Sequence, residues 1–402
     1  MKTLKLELKN IFCKKINLLF LVFVLGIGIV TAFFFLKGVS ADKVLEDGSI
    51  QIVKGKEAIE LINEYDKEIA GEITEDKLMM ARDIFNSTWD SEKEKRNITK
   101  ELLEIESLIG PMDSLRFPIK DKMTIVKWDD VDIPIEYARD YYSLRQDMLK
   151  KYTDDIKNQK IVEKIWKMEE KVDKPFVMGI NHNVWGDSIE WLSMLIIICL
   201  ILIIFVSATI FTEAKENGLY EIVARTALGQ KKFHSSKLIA GTIFNALIYL
   251  LMMLSYLAIV YLALGGDGLK TSFQIDMAFS PGNLTYKKVI LIQIIGGFIG
   301  SLALGSLAML VSSKSKKSKI ALTIMISSFA IYGLLAIFIR PESKLIQYIM
   351  NLSPCGISQV FFQLPFPNYI HLGLVMWLPY VMLIFGLVQL IIYDYLTVKL
   401  NR

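Results

Sequence analysis

The chain contains 402 residues, of which 53% are hydrophobic and only 22% are charged. Its mean hydropathy is +0.40. A soluble protein of this length needs a more polar surface, so the composition excludes an ordinary soluble protein. The net charge of +4 is small, and we expect the lipid bilayer, and no nucleic acid, among its partners.

Six apolar runs are long enough to cross a bilayer, which requires about 20 residues in a helix. The apolar runs themselves, at 16–36, 191–211, 238–264, 289–311, 320–339 and 372–393, contain no Asp, Glu, Lys or Arg. Residues 37–188 are instead dense in Lys, Glu and Asp, which predicts a polar domain between the first and second runs. The sequence therefore predicts an all-α polytopic membrane protein with six transmembrane helices at 16–36, 189–211, 238–264, 289–311, 320–339 and 372–394.

The distribution of Lys and Arg predicts the orientation of these helices. Five lysines lie in 1–15, five Lys or Arg residues lie in 212–237, and four lysines lie in 312–319. The loops at 265–288 and 340–371 carry three and two such residues. We therefore expect a multi-pass protein of the plasma membrane with cytoplasmic termini, 1–15 and 395–402, and an extracellular 37–188 domain.

The N-terminal region has two features with alternative interpretations. Val39-Ser40-Ala41 resembles a signal-peptidase site, but the apolar run of about 21 residues before it exceeds the usual signal-peptide core of about 7–15 residues. We therefore predict an uncleaved first helix. Residues 1–15 form either an amphipathic helix in the headgroup plane or a basic tail that sets topology.

Apolar residues between 58 and 168 recur at spacings of three and four, as the core of a small helical bundle requires. Thr74 is predicted to cap one helix, Gly71 to stop the helix before it, and Gly110-Pro111 to end a third. The same faces would alternatively form a peptide-binding groove. The sequence has no GxSxG or HExxH motif, and we expect neither catalytic residues nor enzyme activity.

The loop at 212–237 contains a short amphipathic pattern that Gly229 ends. Glu213, Lys215 and Glu216 are polar, and the apolar residues Leu219, Ile222 and Val223 follow them at helical spacing. One interpretation is a solvated loop whose charges hold the topology. The other is a partner surface, because no domain of the same chain is predicted on this side to cover the apolar residues.

This loop also has a recognisable order of residue types. It contains, in order, an acidic residue (Glu213 or Glu216), Gly218, a second acidic residue (Glu221), a small-residue turn (Leu228-Gly229) and basic residues (Lys231-Lys232 and Lys237). The pattern resembles the type-two ABC exporter permeases. The resemblance implies a coupling helix that contacts the ATP-binding subunit through Glu213, Glu216, Gly218, Leu219, Glu221, Ile222, Val223 and Arg225.

The resemblance extends to the six-helix layout and to the Pro-interrupted loop at 340–371, which in that family forms short re-entrant helices. The long insert after the first helix resembles a Gram-positive branch associated with export of, or resistance to, antimicrobial peptides. It implies an exporter of an amphipathic peptide, lipid or drug. Two permease chains, identical or related, would pair with two ABC ATP-binding subunits.

Several motifs are absent from the sequence. Without a GxxxxGK[ST] motif, ATP hydrolysis is expected on a separate subunit. The three Cys and three His are scattered, and we expect no metal and no cofactor. Ion-coupled carriers keep ionisable residues at mid-membrane, and their absence argues against that class.

The spans contain uncharged polar and small residues with packing roles. Asn245, Gln293 and Gln389 are predicted to form hydrogen bonds between helices rather than to bind substrate. Small residues in the fourth span predict close packing, within one chain or at a dimer seam, at Gly296, Gly297 and Gly300.

Two other functions fit the same composition. A membrane-bound sensor or scaffold would bind a ligand with 37–188 and recruit a partner with 212–237. A mechanotransmitting ABC protein also carries a large outer domain after its first helix, but such proteins have four spans rather than six. The identity of the partner at 212–237 distinguishes a permease from a sensor.

Overall fold

The computed structural model of the protein describes residues 2–90, 95–115, 132–218, 220, 222, 229–336 and 343–399. Its helices are α1 Lys2–Phe12, α2 Lys15–Gly38, α3 Lys56–Ile69, α4 Glu75–Ser87, α5 Lys100–Ser114, α6 Glu136–Arg139, α7 Tyr141–Asp154, α8 Gln159–Glu169, α9 His182–Ser207, α10 Thr212–Glu216, α11 Gly229–Leu264, α12 Tyr286–Lys314, α13 Ser318–Leu334, α14 Lys344–Asn351, α15 Pro354–Ser358 and α16 Leu378–Lys399. Its strands are β1 Ser40–Val44, β2 Ile50–Lys54, β3 Gly71–Ile73, β4 Trp89–Asp90, β5 Lys95–Arg96, β6 Phe176–Met178, β7 Tyr369–Leu372 and β8 Leu374–Trp377.

Within the described residues, five helices are long and apolar enough to cross a membrane, namely α2, α9, α11, α12 and α16. The protein is therefore a mostly helical, multi-pass membrane protein. The predicted span at 320–339 corresponds to α13, which has 17 residues and is shorter than the other five helices. The last residues of that predicted span, 337–339, lie outside the described part of the chain.

The last membrane helix begins later than predicted. Residues 369–377 form the antiparallel hairpin β7–β8, in which Tyr369 pairs with Trp377. Gly373 at its tip has a φ of +80°, a left-handed conformation that favours glycine. Helix α16 consequently begins at Leu378 rather than at residue 372. The second strand is entirely apolar, so hydropathy alone does not separate it from the span.

Residues 39–181, which we call the inserted domain, contain helices α3–α8. They also contain three antiparallel two-stranded ribbons, β1–β2, β3–β6 and β4–β5. The domain predicted to be helical at 37–188 therefore also contains β-strands. The strands have two to five residues, which is too short for an alternating pattern to stand out in the sequence.

The ends of the inserted domain's helices were predicted with mixed success. Thr74 caps α4 as predicted, because its Oγ1 accepts a hydrogen bond from the Lys77 backbone N–H at 3.3 Å. Gly71 follows the end of α3 and has a φ of +99°. The predicted end at Gly110-Pro111 is wrong, since α5 continues to Ser114. Pro111 removes one amide donor near the end of the helix, and its ring is buried.

Buried Arg145 joins the inserted domain to the connection between two membrane helices. Arg145 is 1% exposed and donates through Nε to the carbonyl of Ala278, in the connection between α11 and α12, at 2.5 Å. Its guanidinium also donates to Glu169. Burial alone would raise the pKa of Glu169, but the bonds from Arg145 and Lys174 hold that pKa below its ordinary value. The pair therefore stays charged.

A second buried contact joins α3 to the start of α9. The Asp66 carboxylate, 2% exposed, accepts hydrogen bonds from the Asn181 backbone N–H at 2.7 Å and from Ser107 Oγ at 3.3 Å. Asn181 precedes α9 and has a left-handed φ of +62°. Burial raises the pKa of Asp66 to about 6, against the lowering effect of both hydrogen bonds.

The three amide side chains predicted at depth form hydrogen bonds between elements, which confirms their packing role. Each donates through its amide nitrogen: Asn245 to Ser207 Oγ at 2.8 Å, Gln293 to the Ser358 carbonyl at 3.2 Å, and Gln389 to the Leu352 carbonyl at 2.9 Å. These bonds tie α9 to α11, and α12 and α16 to the segment around α14 and α15.

The small residues of α12 allow that segment to approach closely. A Cβ on Gly300 would lie 2.6 Å from the Pro354 carbonyl oxygen, and one on Gly296 would lie 2.5 Å from Val360 Cγ1. A Cβ on Gly297 would collide with the hydroxyl of Tyr249. All three glycines are buried against their own chain. A seam between two copies therefore has to use another surface.

Candidate functional site

Four of the eight residues predicted to contact a partner are described: Glu213, Glu216, Gly218 and Ile222. Leu219, Glu221, Val223 and Arg225 lie outside the described residues. Helix α10 follows α9 after a short turn, and Gly218, with a φ of +70°, comes two residues after its end. The segment thus leaves the membrane helix through one further helical turn and then changes direction.

The backbone at the start of α10 is bound to the end of α12. Ser312 Oγ accepts hydrogen bonds from the backbone N–H groups of Phe211 and Thr212, at 3.2 and 3.3 Å. The Thr212 hydroxyl lies 2.8 Å from the hydroxyl of Ser318, the first residue of α13. The first turn of α10 therefore contacts both α12 and α13.

Two charged residues of α10 bind the facing ends of α12 and α13. Lys215 Nζ donates to the carbonyls of Ser313 and Ser315, at 2.5 and 3.0 Å. The Glu216 carboxylate accepts the backbone N–H of Ser318 at 2.8 Å and its hydroxyl at 3.1 Å. The cation thus lies at a helix C-terminus and the anion at a helix N-terminus, which are the favourable ends for each charge.

We call Thr212, Lys215, Glu216, Ser312 and Ser318 the helix-end cluster. Thr212 and Ser312 are fully buried, and each hydrogen bond to an ionised group contributes more than a neutral one, about 1.5–3 kcal/mol in a favourable site. Because Glu216 is exposed, the free-energy contribution of its hydrogen bonds lies at or below the low end of that range. Together the bonds make α10 and the ends of α12 and α13 one mechanical unit.

The same turn is connected to the N-terminal segment. Lys14, which immediately precedes α2, lies with its Nζ 2.6 Å from Glu213 Oε1. On α1, Glu7 is 8% exposed and lies 3.8 Å from Lys237 of α11. The Phe12 ring packs edge-on against Phe244, with centroids 5.6 Å apart. Helix α1 therefore packs along α11 as an ordered element, in agreement with a helical rather than a tail-like 1–15 segment.

Aromatic residues cover one side of the helix-end cluster. The rings of Phe211 and His234 stack with centroids 5.3 Å apart, and Tyr220 packs edge-on against His234 at 5.7 Å. Lys215 Nζ lies 5.6 Å from the Tyr220 ring centroid. Beyond this layer, Ile222 has 67% of its surface exposed. An apolar side chain thus protrudes from a segment that is otherwise bonded to the helix ends.

These contacts give two acidic residues an internal role as well. Glu213 and Glu216, which are predicted to contact a partner, are exposed and also bind Lys14 and Ser318 of the same chain. Ser312 and Ser318 were missed as functional candidates. The sequence did contain a signal for Ser318. A serine stands just before the apolar helix that follows the 312–319 loop, and helix N-termini attract carboxylates.

In the part of the chain that the structure describes, no group of three His, Cys, Asp or Glu side chains lies close enough to hold a metal ion. The helix-end cluster connects α10 to the ends of α12 and α13.

No protein-family model matches the chain, and neither a curated protein nor a solved structure matches it. The likeness of the 213–237 loop to exporter permeases is therefore a likeness of residue pattern alone.

Proposed function

We propose that this chain is the permease subunit of an ATP-driven ABC exporter and that it contacts a separate ATP-binding subunit through 212–222. The observation that carries the proposal is the combination of an exposed Ile222 with an α10 turn bonded to α12 and α13. An apolar anchor in an interface contributes about 1–3 kcal/mol, which exceeds the contribution of an exposed charge. Ile222 is thus suited to hold a partner, and α10 to transmit its movement.

The proposed transmission uses the contacts of the helix-end cluster. A partner that displaces 220–222 moves Lys215 and Glu216, which hold the ends of α12 and α13. The same displacement reaches α2 through Lys14 and α11 through the ring of His234. A small movement on this side thereby changes the packing of most of the membrane helices at once.

The remaining parts of the proposal follow from the family resemblance and the charge distribution. Two such permeases, identical or related, would work with two ATP-binding subunits in the plasma membrane, with both termini in the cytoplasm. The exported substrate would be an amphipathic peptide, lipid or drug. The inserted domain would then lie outside the cell, where its attachment through Arg145 and Asp66 couples it to the membrane helices.

That same attachment favours a second candidate, a membrane-bound sensor or scaffold. The inserted domain and the membrane helices share one hydrophobic core, which includes Leu108, Phe176, Trp185 and Tyr256. A ligand bound by the domain would therefore affect α9 directly. In this alternative the 212–222 segment would recruit a partner that is not an ATPase.

The test is the identity of the partner and its dependence on Ile222. The protein is affinity-purified from its native membrane, the bound subunits are identified by peptide sequencing, and ATP hydrolysis is assayed in the complex. We expect a subunit with a phosphate-binding loop that is lost in Ile222→Asp. The matched control is Ile52→Asp on β2, because Ile52 is similarly exposed at 63% but lies in the inserted domain. A partner without ATPase activity would favour the sensor.

A further inference from the structure

A groove of about 580 Å³ opens beside the helix-end cluster, between the end of α12 and the start of α13. Its wall is formed by Leu310, Val311, Ile320 and Ile324, and Lys314 and Lys316 stand at its rim. The volume is within the range of ligand-binding pockets, about 300–1,000 Å³. The groove is thus apolar along the helices and basic where they end.

The apolar wall belongs to the part of the chain that faces lipid. Helix α12 is long and apolar enough to cross a membrane, and α13 is a shorter apolar helix. On α13, Ile320 and Ile324 lie one turn apart and are 48% and 46% exposed. An occupant of the wall therefore comes from the hydrocarbon region of the bilayer, which consists of acyl chains.

The rim is strongly basic. Lys314, Lys316, Lys317 and Lys319 are all exposed, and residues 312–319 contain no acidic residue. The nearby carboxylate of Glu216 accepts both of its hydrogen bonds from Ser318. Lysines at the membrane surface attract anionic headgroups, and basic pockets between membrane helices bind phospholipid headgroups.

The groove is also held in shape by the helix-end cluster. Ser315 is buried, and both its backbone N–H and its hydroxyl donate to the Val311 carbonyl, at 3.0 and 2.9 Å. Lys215 holds the carbonyls of Ser313 and Ser315 from the other side. A rigid site loses less conformational entropy on binding than a mobile loop does.

We propose that this groove binds one anionic phospholipid of the surrounding membrane. An acyl chain lies along Leu310, Val311, Ile320 and Ile324, and the phosphate lies between Lys314 and Lys316. The inference is independent of the proposed transport function, and it holds for whichever leaflet carries this end of the helices.

The experiment is native mass spectrometry of the full-length protein in detergent, titrated with phosphatidylglycerol and, separately, with phosphatidylcholine. We expect tighter binding of phosphatidylglycerol. The double variant Lys314→Gln/Lys316→Gln should lower its affinity about 25-fold, because each lysine near an anionic headgroup contributes roughly fivefold. The matched control, Lys231→Gln/Lys232→Gln, removes two exposed lysines at the start of α11, away from the groove, and should change affinity less than about twofold.

A third variant separates a lipid from a free anion. Ile324→Trp fills the apolar wall without changing charge, so it should weaken phosphatidylglycerol binding, while millimolar inorganic phosphate should not compete. Three results overturn the proposal: equal losses in both lysine pairs, which indicate surface charge only; unchanged binding in Ile324→Trp; or full competition by phosphate, which indicates a soluble anion site. Thermal unfolding of each variant distinguishes lost binding from lost folding.

Discussion

Glu216 accepts two hydrogen bonds from Ser318, one from the backbone N–H at 2.8 Å and one from the hydroxyl at 3.1 Å, although 102 residues separate them. This contact places a carboxylate at the N-terminus of α13, where the helix dipole favours negative charge. Glu216, an exposed residue that is predicted to contact a partner, thus also connects α10 to α13 within the chain.

Removal of the Glu216 carboxylate should destabilise the protein measurably. We expect Glu216→Ala to lower the free energy of unfolding by about 1 kcal/mol, the usual loss for a helix cap. Ser318→Ala should cost a similar amount: its backbone N–H still reaches Glu216, but the variant loses the hydroxyl contacts with Glu216 and with buried Thr212. Thermal unfolding in detergent measures both. Asn217→Ala changes the exposed neighbouring residue and serves as the control; an equal loss there would remove the special role of Glu216.

One glycine of α12 and one of α13 give a prediction in which the same substitution, Gly→Ala, has different effects on stability. Gly300→Ala places a methyl group 2.6 Å from the Pro354 carbonyl oxygen and the Ser358 backbone nitrogen, so it should destabilise by about 1–3 kcal/mol. Gly333→Ala on α13 meets nothing within 4 Å and should be neutral or stabilise by up to about 1 kcal/mol. Because the contact lies within one chain, oligomeric state should not change. Dissociation of a dimer by Gly300→Ala would contradict this assignment.

Asp66 should make stability depend on pH. Its folded-state pKa, about 6, exceeds the ordinary value of 3.8, so the folded protein binds a proton more readily than the unfolded chain. Stability should therefore fall as pH rises from about 4 to about 6 and stay lower above that range. Asp66→Asn keeps an acceptor for the Asn181 N–H without the charge. We expect this variant to be about 1–3 kcal/mol more stable than wild type at pH 8, and equal to it near pH 4.

The pH dependence is measured by thermal unfolding in detergent between pH 4 and pH 8. Glu68→Gln serves as the control, because Glu68 lies on the same helix but is exposed, and its profile should follow wild type. A pH profile of Asp66→Asn parallel to that of wild type would show that another group titrates.

Cysteine labelling tests the orientation. Cys13 is exposed, whereas Cys355 is 7% exposed and is a poor target for a thiol reagent. We therefore replace the exposed Ser49, in the turn between β1 and β2, by Cys. A membrane-impermeant reagent added to sealed cells should label Ser49→Cys and leave Cys13 unmodified. The reverse pattern would invert the proposed topology.

The membrane helices could be predicted from sequence because a bilayer imposes a length and an apolar composition on each of them. The roles of Asn245, Gln293 and Gln389 followed from the same argument, since a buried amide in a membrane needs a partner. The second strand of the hairpin, Leu374–Trp377, could not be separated from the last span, because its residues are as apolar as the helix and its pairing with Tyr369–Leu372 is visible only in the fold.

The candidate site was predictable only in part. Local spacing identifies 212–222 as an amphipathic segment, and the exposure of Ile222 agrees with that. The partners of Lys215 and Glu216 lie about 100 residues away in the chain. Periodicity carries no information about contacts between distant loops, so the helix-end cluster required the fold.

In the proposed mechanism, a partner ATPase moves the ends of α12 and α13 through α10. The most direct measurement is the distance between spin labels at Lys231→Cys and Lys317→Cys, in Cys13→Ser protein with its partner bound, with and without a non-hydrolysable ATP analogue. We expect the analogue to shift this distance, and Lys215→Ala/Glu216→Ala to abolish the shift while the ATPase remains bound. An unchanged shift in that double variant, or the absence of any ATPase from the complex, would contradict the account.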